Sequence, residues 1–272
     1  MSTRIAIQAQ NVSKTFGSGA RMVRALADVT IEINRGELTL LMGPSGSGKT
    51  TLLSILGCIL SPSAGEVWVA GNPIGGLSPE SLAALRRQHL GFVFQSYNLF
   101  PTLTATENIL LALQVRGVQG KEARQLAAQA LAEVGLSQKH DAHPGVLSGG
   151  QQQRLAIARA LAGNPTIILA DEPTAALDTE NGAAVMDLLA GIAKKGDRAV
   201  LAVTHDPRTI GYADRIIEIL DGRIVGDSRP VGDSCQEANA PSADGGRQVV
   251  DKRYKRGKSL YGHAGRGHSK RR

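Results

Sequence analysis

The sequence predicts an α/β fold built on a mainly parallel sheet. Two runs, residues 38–42 and 166–170, are almost entirely apolar, as strands buried on both faces of a parallel sheet are. Segments with helical periodicity alternate with these runs. The pattern GPSGSGKT at residues 43–50 lies between the first run and a predicted helix. Because strand, loop and helix in that order are the context of a phosphate-binding loop, the pattern predicts such a loop here.

The other strands are predicted from period-two alternation, or from short apolar runs bounded by turn residues. Phe16 is expected in the loop after the first strand, and Asp221-Gly222 is expected to turn the last hairpin. In chain order, the further strands are predicted over residues 5–13, 29–33, 66–70, 90–94 and 199–204, with a hairpin over 216–225.

The helices are predicted from apolar spacing and from start and stop signals. Pro79 suits the first position of one helix, Thr104 and Glu107 form a capping box at the start of another, and Gly135 ends a third. In chain order, helices are predicted over residues 51–59, 79–88, 104–115, 121–134 and 180–195, and one more helix follows residues 147–154 and runs through Ala162. Residues 96–163 are therefore expected to form a helical insert.

The net charge of +7 is unevenly distributed along the chain. Residues 1–228 hold 20 basic and 20 acidic side chains, whereas residues 229–272 hold 11 basic and 4 acidic ones. Periodicity also disappears beyond Asp227, where Gly, Ser, Arg and Lys dominate. We therefore expect a folded domain over 1–227 and a basic, disordered tail over 228–272.

The basic tail leaves three interpretations open. Tyr254 and Tyr261 are its only aromatic residues, so a specific nucleic-acid site is not expected. A solvated tail is favoured, and weak contact with anionic lipid is the next alternative.

Cysteine content and hydropathy bear on the compartment. Cys58 and Cys235 are the two cysteines, and they suggest neither a disulfide framework nor a metal site. The first residues carry no signal-peptide core, and no apolar run approaches the roughly 18 residues of a membrane span. We expect a cytoplasmic protein, so any membrane-crossing segment would belong to another chain.

The phosphate-binding loop predicts specific contacts to a nucleoside triphosphate. Its glycines let backbone N–H groups converge on phosphate oxygens, and the helix N-terminus adds partial positive charge. Lys49 is expected to reach the β- and γ-phosphates, and the Thr50 hydroxyl to bind Mg²⁺. The residues predicted to contact the nucleotide here are Gly43, Pro44, Ser45, Gly46, Ser47, Gly48, Lys49, Thr50 and Thr51.

Two carboxylates follow the second buried run. Asp171 at the end of that strand is predicted to hold Mg²⁺, usually through water, and Glu172 to act as general base on the attacking water. The alternative is a pair of acidic residues that only favours the start of a helix.

A second anion-binding device is predicted at residues 147–154, LSGGQQQR, where a serine and two glycines precede a helix. One chain needs only one binding site for a γ-phosphate. This second site is therefore not needed unless it acts on another molecule. Here the sequence resembles the ATP-binding subunits of ABC transporters, over about residues 4–227. The resemblance implies that the neighbouring chain's ATP contacts Ser148, Gly149, Gly150 and Gln151.

The same resemblance assigns four further residues by their motifs. Gln95 matches the glutamine that senses Mg²⁺ and the attacking water and adjoins the membrane subunit. Asp178 matches the loop that crosses the dimer interface, although Ala176 stands where the family often has Ser. His205 matches the histidine that contacts the γ-phosphate; a lone histidine after a strand is otherwise more often structural. Phe16 matches the aromatic that stacks on adenine, the alternative being packing on the sheet.

The resemblance also implies an architecture and partners. It implies a P-loop NTPase core with an antiparallel β subdomain and a helical subdomain, using ATP and Mg²⁺. It implies a head-to-tail homodimer that drives a separate membrane permease from the inner face of the cell membrane. Residues 98–108 and the LSGGQQQR motif are similar to the corresponding segments of the lipoprotein-release and macrolide-export group.

Two alternatives to a transporter subunit stay open. A cell-division ATPase of the same build would drive a membrane partner without transport. A soluble ABC ATPase acting on DNA or ribosomes usually needs two fused ATPase domains or a long coiled-coil insert, and this chain has neither. The identity of the copurifying protein would separate the three.

Overall fold

The computed structural model describes residues 4–195 and 198–229. Within these ranges the strands are β1 (Ile5–Phe16), β2 (Val23–Asn34), β3 (Leu38–Met42), β4 (Ala64–Val69), β5 (Asn72–Pro73), β6 (Leu90–Val93), β7 (Ile167–Asp171), β8 (Ala199–Thr204), β9 (Arg215–Leu220) and β10 (Arg223–Ser228). The α helices are α1 (Lys49–Leu56), α2 (Pro79–His89), α3 (Ala105–Val115), α4 (Gly120–Glu133), α5 (Gly149–Leu161) and α6 (Thr179–Lys195).

The larger sheet has the order β10-β9-β3-β8-β7-β6. Its strand pairs are parallel except for the antiparallel pair β9 and β10. The prediction of a mainly parallel α/β sheet is therefore confirmed. Strands β3, β8 and β7 are neighbours, so the segments that follow their carboxyl ends meet at one edge of the sheet.

The smaller sheet is antiparallel, with the order β2-β1-β4-β5. The expectation that Phe16 lies in a loop was wrong, because β1 continues to Phe16 and pairs it with Val23 on β2. The register of this pair shifts at several points beyond Ala9, including between Val12 and Lys14. Such irregularities interrupt period-two alternation, and that is why the pattern predicted strands that are too short.

The parallel sheet separates two hydrophobic cores. Leu40 belongs to the core shared with helices α3 to α6, whereas Leu41 belongs to the core shared with α1 and the antiparallel sheet. Successive side chains of a strand point to opposite faces, so β3 is covered on both sides. This explains the continuous apolar run from which the sequence predicted it.

Helix α1 begins and ends earlier than predicted. It starts at Lys49, directly after Gly48, whose φ is 103°. It ends at Leu56, and Cys58 then takes a φ of 57°. The left-handed backbone conformations at Gly48 and Cys58, which apolar spacing does not report, set the two ends of the helix.

The last described residues are tied to the fold. β10 extends to Ser228, and Arg229 contacts the buried carboxylate of Glu37, which Arg4 also contacts. Ordered structure therefore continues two residues past the predicted boundary at Asp227. The rest of the predicted tail lies outside the described residues. In the described part of the chain, no helix combines the length and apolarity needed to cross a membrane.

Candidate nucleotide-binding site

A cleft of about 530 Å³ opens where β3, β7 and β8 end. That volume is within the range of small-molecule sites. The cleft is lined by Ala25, Pro44, Ser45, Gly46, Gly48, Lys49, Thr50, Thr51, Gln95, Asp171, Glu172 and His205. The structure thus brings together most of the predicted phosphate-loop residues. It also brings together Lys49, Gln95, Glu172 and His205, the four residues predicted to act on the γ-phosphate or the attacking water.

Two glycines of the loop are required by close approach of the backbone. A Cβ at Gly43 would lie 2.1 Å from the carbonyl oxygen of Ile219, and one at Gly48 would lie 2.6 Å from that of Ala25. Gly48 also has a positive φ. Neither position can take a side chain, because the loop packs directly against the backbone of β2 and β9 at these two points.

Lys49 is buried at the floor of the cleft, with 7% of its surface exposed. Its ammonium donates to the carbonyl oxygens of Gly43 and Pro44, at 2.7 and 2.8 Å. A buried cation at a helix N-terminus gives this end of the cleft a partial positive charge. The arrangement therefore favours an anionic ligand such as a phosphate.

Asp171 faces Thr50 across the cleft, with 3.5 Å between the Thr50 hydroxyl oxygen and a carboxylate oxygen. Burial, followed by the charge of Glu172, raises the pKa of Asp171, against the opposing effects of Thr50 and Lys49. Because its surroundings disfavour the charged form of Asp171, a bound cation would stabilise that charged form.

Glu172 and His205 form a contact pair. Glu172 Oε1 lies 2.8 Å from His205 Nδ1, and the backbone N–H of Glu172 donates to Val203 at 2.9 Å. The φ of Glu172 is 48°, in the left-handed region that non-glycine residues seldom adopt. The end of β8 therefore contacts the backbone of Glu172, and His205, the first residue after β8, contacts its carboxylate.

The structure does not bring Ser148 into this cleft. Ser148 is the N-cap of α5, where its hydroxyl accepts from Gln151 N–H and its own N–H donates to the Gln151 side chain. This is a capping box, which the sequence analysis recognised at Thr104 but missed here, although Ser-x-x-Gln is its signal. Gly149 and Gly150 occupy the first turn of the helix.

Asp178 also lies outside the cleft, next to the start of α5. Its carboxylate accepts from the backbone and side chain of Asn181, at 2.8 and 2.7 Å. These hydrogen bonds lower the pKa of Asp178. A Cβ at Gly150 would lie 2.2 Å from the Asn181 side chain, so a glycine is required where the two segments meet.

Phe16 stands at the exposed end of β1 and is not among the residues lining the cleft. Its ring is 43% exposed, and the ammonium of Lys14 lies 5.2 Å from the ring centroid. It therefore packs on a neighbour of its own strand and stays partly exposed. Ala25 does line the cleft, but no chemical signal in the sequence marks an alanine.

The donor set suits Mg²⁺ held together with phosphates. Thr50, Gln95 and Asp171 offer hydroxyl, amide and carboxylate oxygens on one cleft. Among the described residues, no group of three or more His, Cys, Asp or Glu side chains could hold a metal ion alone. Mg²⁺ commonly uses one or two protein oxygens and completes its shell with substrate phosphates and water, so these residues fit it.

Comparison with known proteins, like the geometry of the cleft, indicates a nucleotide-binding protein. The family model described as ABC transporter matches residues 26–175. The macrolide export ATP-binding/permease protein MacB 2 of Yersinia pestis bv. Antiqua (strain Antiqua) is 45% identical over 234 residues, which cover 86% of this chain and 34% of that protein. MacB of Neisseria gonorrhoeae is 44% identical over 222 residues, covering 82% and 34%. The chain thus spans about a third of the length of these curated relatives.

Two solved structures match most of the described fold. The dimeric ATP-binding cassette MJ0796, in a post-hydrolysis state bound to ADP and Pi, has a TM-score of 0.76 and 42% identity, and the match covers 83% of this chain and 99% of that one. The cbiO1 structure from Clostridium perfringens has a TM-score of 0.76 and 28% identity, covering 84% and 89%.

Proposed function

The chain belongs to the ABC transporter family and is an ATPase of that family, and from this premise we propose that it drives a separate membrane permease of the macrolide-export or lipoprotein-release type. One observation carries the proposal: a buried lysine, a carboxylate and a Glu–His pair converge on one cleft from three neighbouring strands. The identities of 44 to 46% to MacB proteins support the subgroup.

The residues of the cleft divide the chemistry between them. Lys49 and the N–H groups of the loop bind the β- and γ-phosphates of ATP. Thr50, Asp171 and Gln95 hold Mg²⁺, which offsets charge on the phosphate oxygens when bound. Phe16 stacks on adenine through the exposed part of its side chain. These groups place the γ-phosphate below Glu172 and His205.

Glu172 is the general base in this proposal. It accepts a proton from a water molecule, whose oxygen bonds to the γ-phosphorus while the bond to the bridging oxygen breaks and ADP leaves. His205 holds the Glu172 carboxylate through Nδ1 and presents its other nitrogen to the γ-phosphate. Its side chain is 65% exposed, so it is accessible from the cleft opening.

We propose that the second half of each site comes from another copy of the chain. Ser148 and Asp178 are exposed and lie together through Asn181 and Gly150, outside the cleft of their own chain. A head-to-tail homodimer would place this surface over the partner's γ-phosphate. The dimeric state of the MJ0796 cassette supports this arrangement.

A groove of about 590 Å³ is the surface we assign to the membrane partner. Arg86 and Arg87 line it, as do several apolar side chains, and no Asp or Glu does. Phe100 and Val115 are 48% and 61% exposed. An amphipathic segment with acidic residues on a cytoplasmic face of the permease matches this surface. The chain would then be peripheral on the inner face of the membrane.

Copurification from membranes identifies the partner. Recovery of an export or lipoprotein-release permease supports the proposal. Recovery of a division protein in its place would favour the cell-division ATPase, which has the same site but no transported substrate.

The Glu172→Gln variant tests the assignment of the base. The amide keeps the shape of the side chain but cannot take a proton, so we expect ATP binding to persist and hydrolysis to fall by at least about 100-fold. Nucleotide affinity, hydrolysis rate and size exclusion with ATP are measured, the last because a stalled site should hold the dimer closed. Hydrolysis at the wild-type rate would remove Glu172 from the mechanism.

A further inference from the structure

The loop after Gln95 has a strained backbone. Tyr97 and Asn98 have φ values of 60° and 50°, so two successive non-glycine residues are left-handed. Asparagine tolerates this region better than a bulky residue such as tyrosine. Two tight hydrogen bonds accompany the turn, from Tyr97 N–H to Phe94 at 3.0 Å and from Asn98 N–H to Ser96 at 2.6 Å. Such a conformation persists only when its surroundings hold it.

Arg159 on α5 supplies that support. Its guanidinium donates to the carbonyl oxygens of both strained residues, to Tyr97 at 2.8 Å and to Asn98 as well. The arginine side chain is half-buried. A planar fork of donors can serve two adjacent carbonyls at once, which a lysine ammonium does less well.

The loop also meets the first turn of α5. A Cβ at Gly149 would lie 3.3 Å from the Tyr97 hydroxyl oxygen, so the ring reaches the segment that begins at Ser148. At its other end the loop carries Gln95, which lines the nucleotide cleft with Asp171 and Glu172. The strained loop therefore connects Gln95 to the first turn of α5.

We propose that Arg159 is a positioning residue, which holds Tyr97 and Asn98 in their left-handed conformation and thereby fixes Gln95 in the cleft relative to α5. The proposal rests on the proposed function in one respect, since it takes Gln95 to act in ATP hydrolysis. Arg159 itself touches neither the cleft nor the reacting atoms. Without its two hydrogen bonds the loop would relax to ordinary φ values and carry Gln95 away.

The first test removes the support that Arg159 gives to the loop, and then also removes the backbone strain at Asn98. Arg159→Lys should lower kcat for ATP about tenfold while KM changes less than about twofold, because the phosphate-binding loop is untouched. Glycine adopts positive φ at little cost, so Asn98→Gly alone should leave hydrolysis near the wild-type rate. Arg159→Lys combined with Asn98→Gly should recover hydrolysis to within about threefold of wild type.

Arg116→Lys is the matched control. Arg116 is also half-buried and donates to two backbone carbonyls, those of Leu90 and Gly163, away from the Gln95 loop. It should lower the melting temperature about as much as Arg159→Lys does without lowering kcat. Equal losses of kcat in both lysine variants, or no rescue by Asn98→Gly, would show that Arg159 acts on stability alone and would overturn the proposal.

Hydrogen exchange gives a readout that does not depend on hydrolysis. The amides of Tyr97 and Asn98 are hydrogen-bonded and should exchange at least about tenfold faster in Arg159→Lys, while amides of α1 stay unchanged. Unchanged exchange at these two amides would overturn the proposal. If the wild-type chain failed to hydrolyse ATP, the proposed function would fail, and the exchange measurement would still decide whether Arg159 holds the loop.

Discussion

At the scale of single residues, the candidate nucleotide-binding site contains a carboxylate on a strained backbone. Glu172 occupies the left-handed region, which costs a non-glycine residue on the order of 1–3 kcal/mol. Two contacts to the end of β8, at Val203 and His205, hold it there. The fold itself therefore orients the Glu172 carboxylate, and this orientation depends on β7 and β8 lying side by side.

Glu37 shows how a buried charge joins distant parts of the chain. Burial raises the pKa of this carboxyl, but the hydrogen bonds from Arg229 and Asn34 and the charges of Arg229 and Arg4 outweigh it, so the pKa is lowered overall. A carboxyl whose pKa is lower when folded stabilises the fold above its unfolded pKa. This stability is lost as the pH falls through the folded value.

We expect the free energy of unfolding to fall as the pH drops below about 4.5, and Glu37→Gln to remove that part of the pH dependence. At pH 7 the variant should be about 1–2 kcal/mol less stable, because Arg4 and Arg229 are exposed enough to turn to water. Urea unfolding between pH 3 and 7 measures both effects. The control is Glu66→Gln on the exposed part of β4, and a Glu37→Gln variant with the wild-type pH profile would contradict the assignment.

At the scale of elements, the helical segment depends on one buried amide. Asn108 on α3 is fully buried, and its side-chain nitrogen lies 3.0 to 3.1 Å from the carbonyl oxygens of Phe100, Leu103 and Thr104. Its side-chain oxygen accepts from Phe100 N–H at 2.8 Å. One side chain thus contacts backbone groups of three residues in the turn that precedes α3.

Asn108→Ala should destabilise the folded domain by about 2–4 kcal/mol, because several backbone groups lose their partner in a place that water does not reach. Chemical denaturation measures the loss. Glu107→Gln, on the exposed side of the same helix and within its capping box, should cost less than about 1 kcal/mol. Equal, small losses in both variants would mean that the turn satisfies its carbonyls in another way.

At the scale of the whole molecule, the two anion-binding devices of the chain are separate. The phosphate-binding loop faces the cleft, whereas the N-terminus of α5 faces outward beside Asp178. In the proposed dimer, each nucleotide uses the first device of one chain and the second device of the other. The arrangement predicts complementation between variants that are each inactive.

Lys49→Ala removes the cation that holds the phosphates, and Ser148→Arg places bulk and unwanted charge at the N-terminus of α5, so each homodimer should lose hydrolysis. A mixed dimer has one doubly broken site and one intact site. Because random pairing makes about half the dimers mixed, roughly a quarter of wild-type activity should return if the sites act independently.

The assay is ATP hydrolysis of the mixture, with the membrane partner added if the isolated chain is slow. Ser148→Thr keeps the capping hydroxyl and is the control for the change at α5. Cross-linking shows whether mixed dimers form. Activity of the Ser148→Arg homodimer itself would place Ser148 away from the nucleotide and count against the shared site.

The sequence by itself determined the features that depend on neighbouring residues. The apolar run at Leu38–Met42 and the capping box at Thr104 follow from short-range chemistry, and the structure has them where they were predicted. The phosphate-loop motif was also recognised from neighbouring residues, but its loop ends at Gly48 because α1 begins at Lys49. The mainly parallel sheet followed from alternation along the chain. The homodimer and the roles of all the predicted site residues, including Lys49, Glu172 and Ser148, stay predictions.

Only the tertiary structure decided which of these features meet. Strand order makes β3, β7 and β8 neighbours, and the contact of Glu172 with His205 follows from that order, not from any spacing in the sequence. The bulged pairing of β1 with β2 carried Phe16 into a strand, and folding brought Arg159 onto the carbonyls of Tyr97 and Asn98. Side-chain patterns report burial and local turns, whereas contacts between distant segments depend on how whole elements pack.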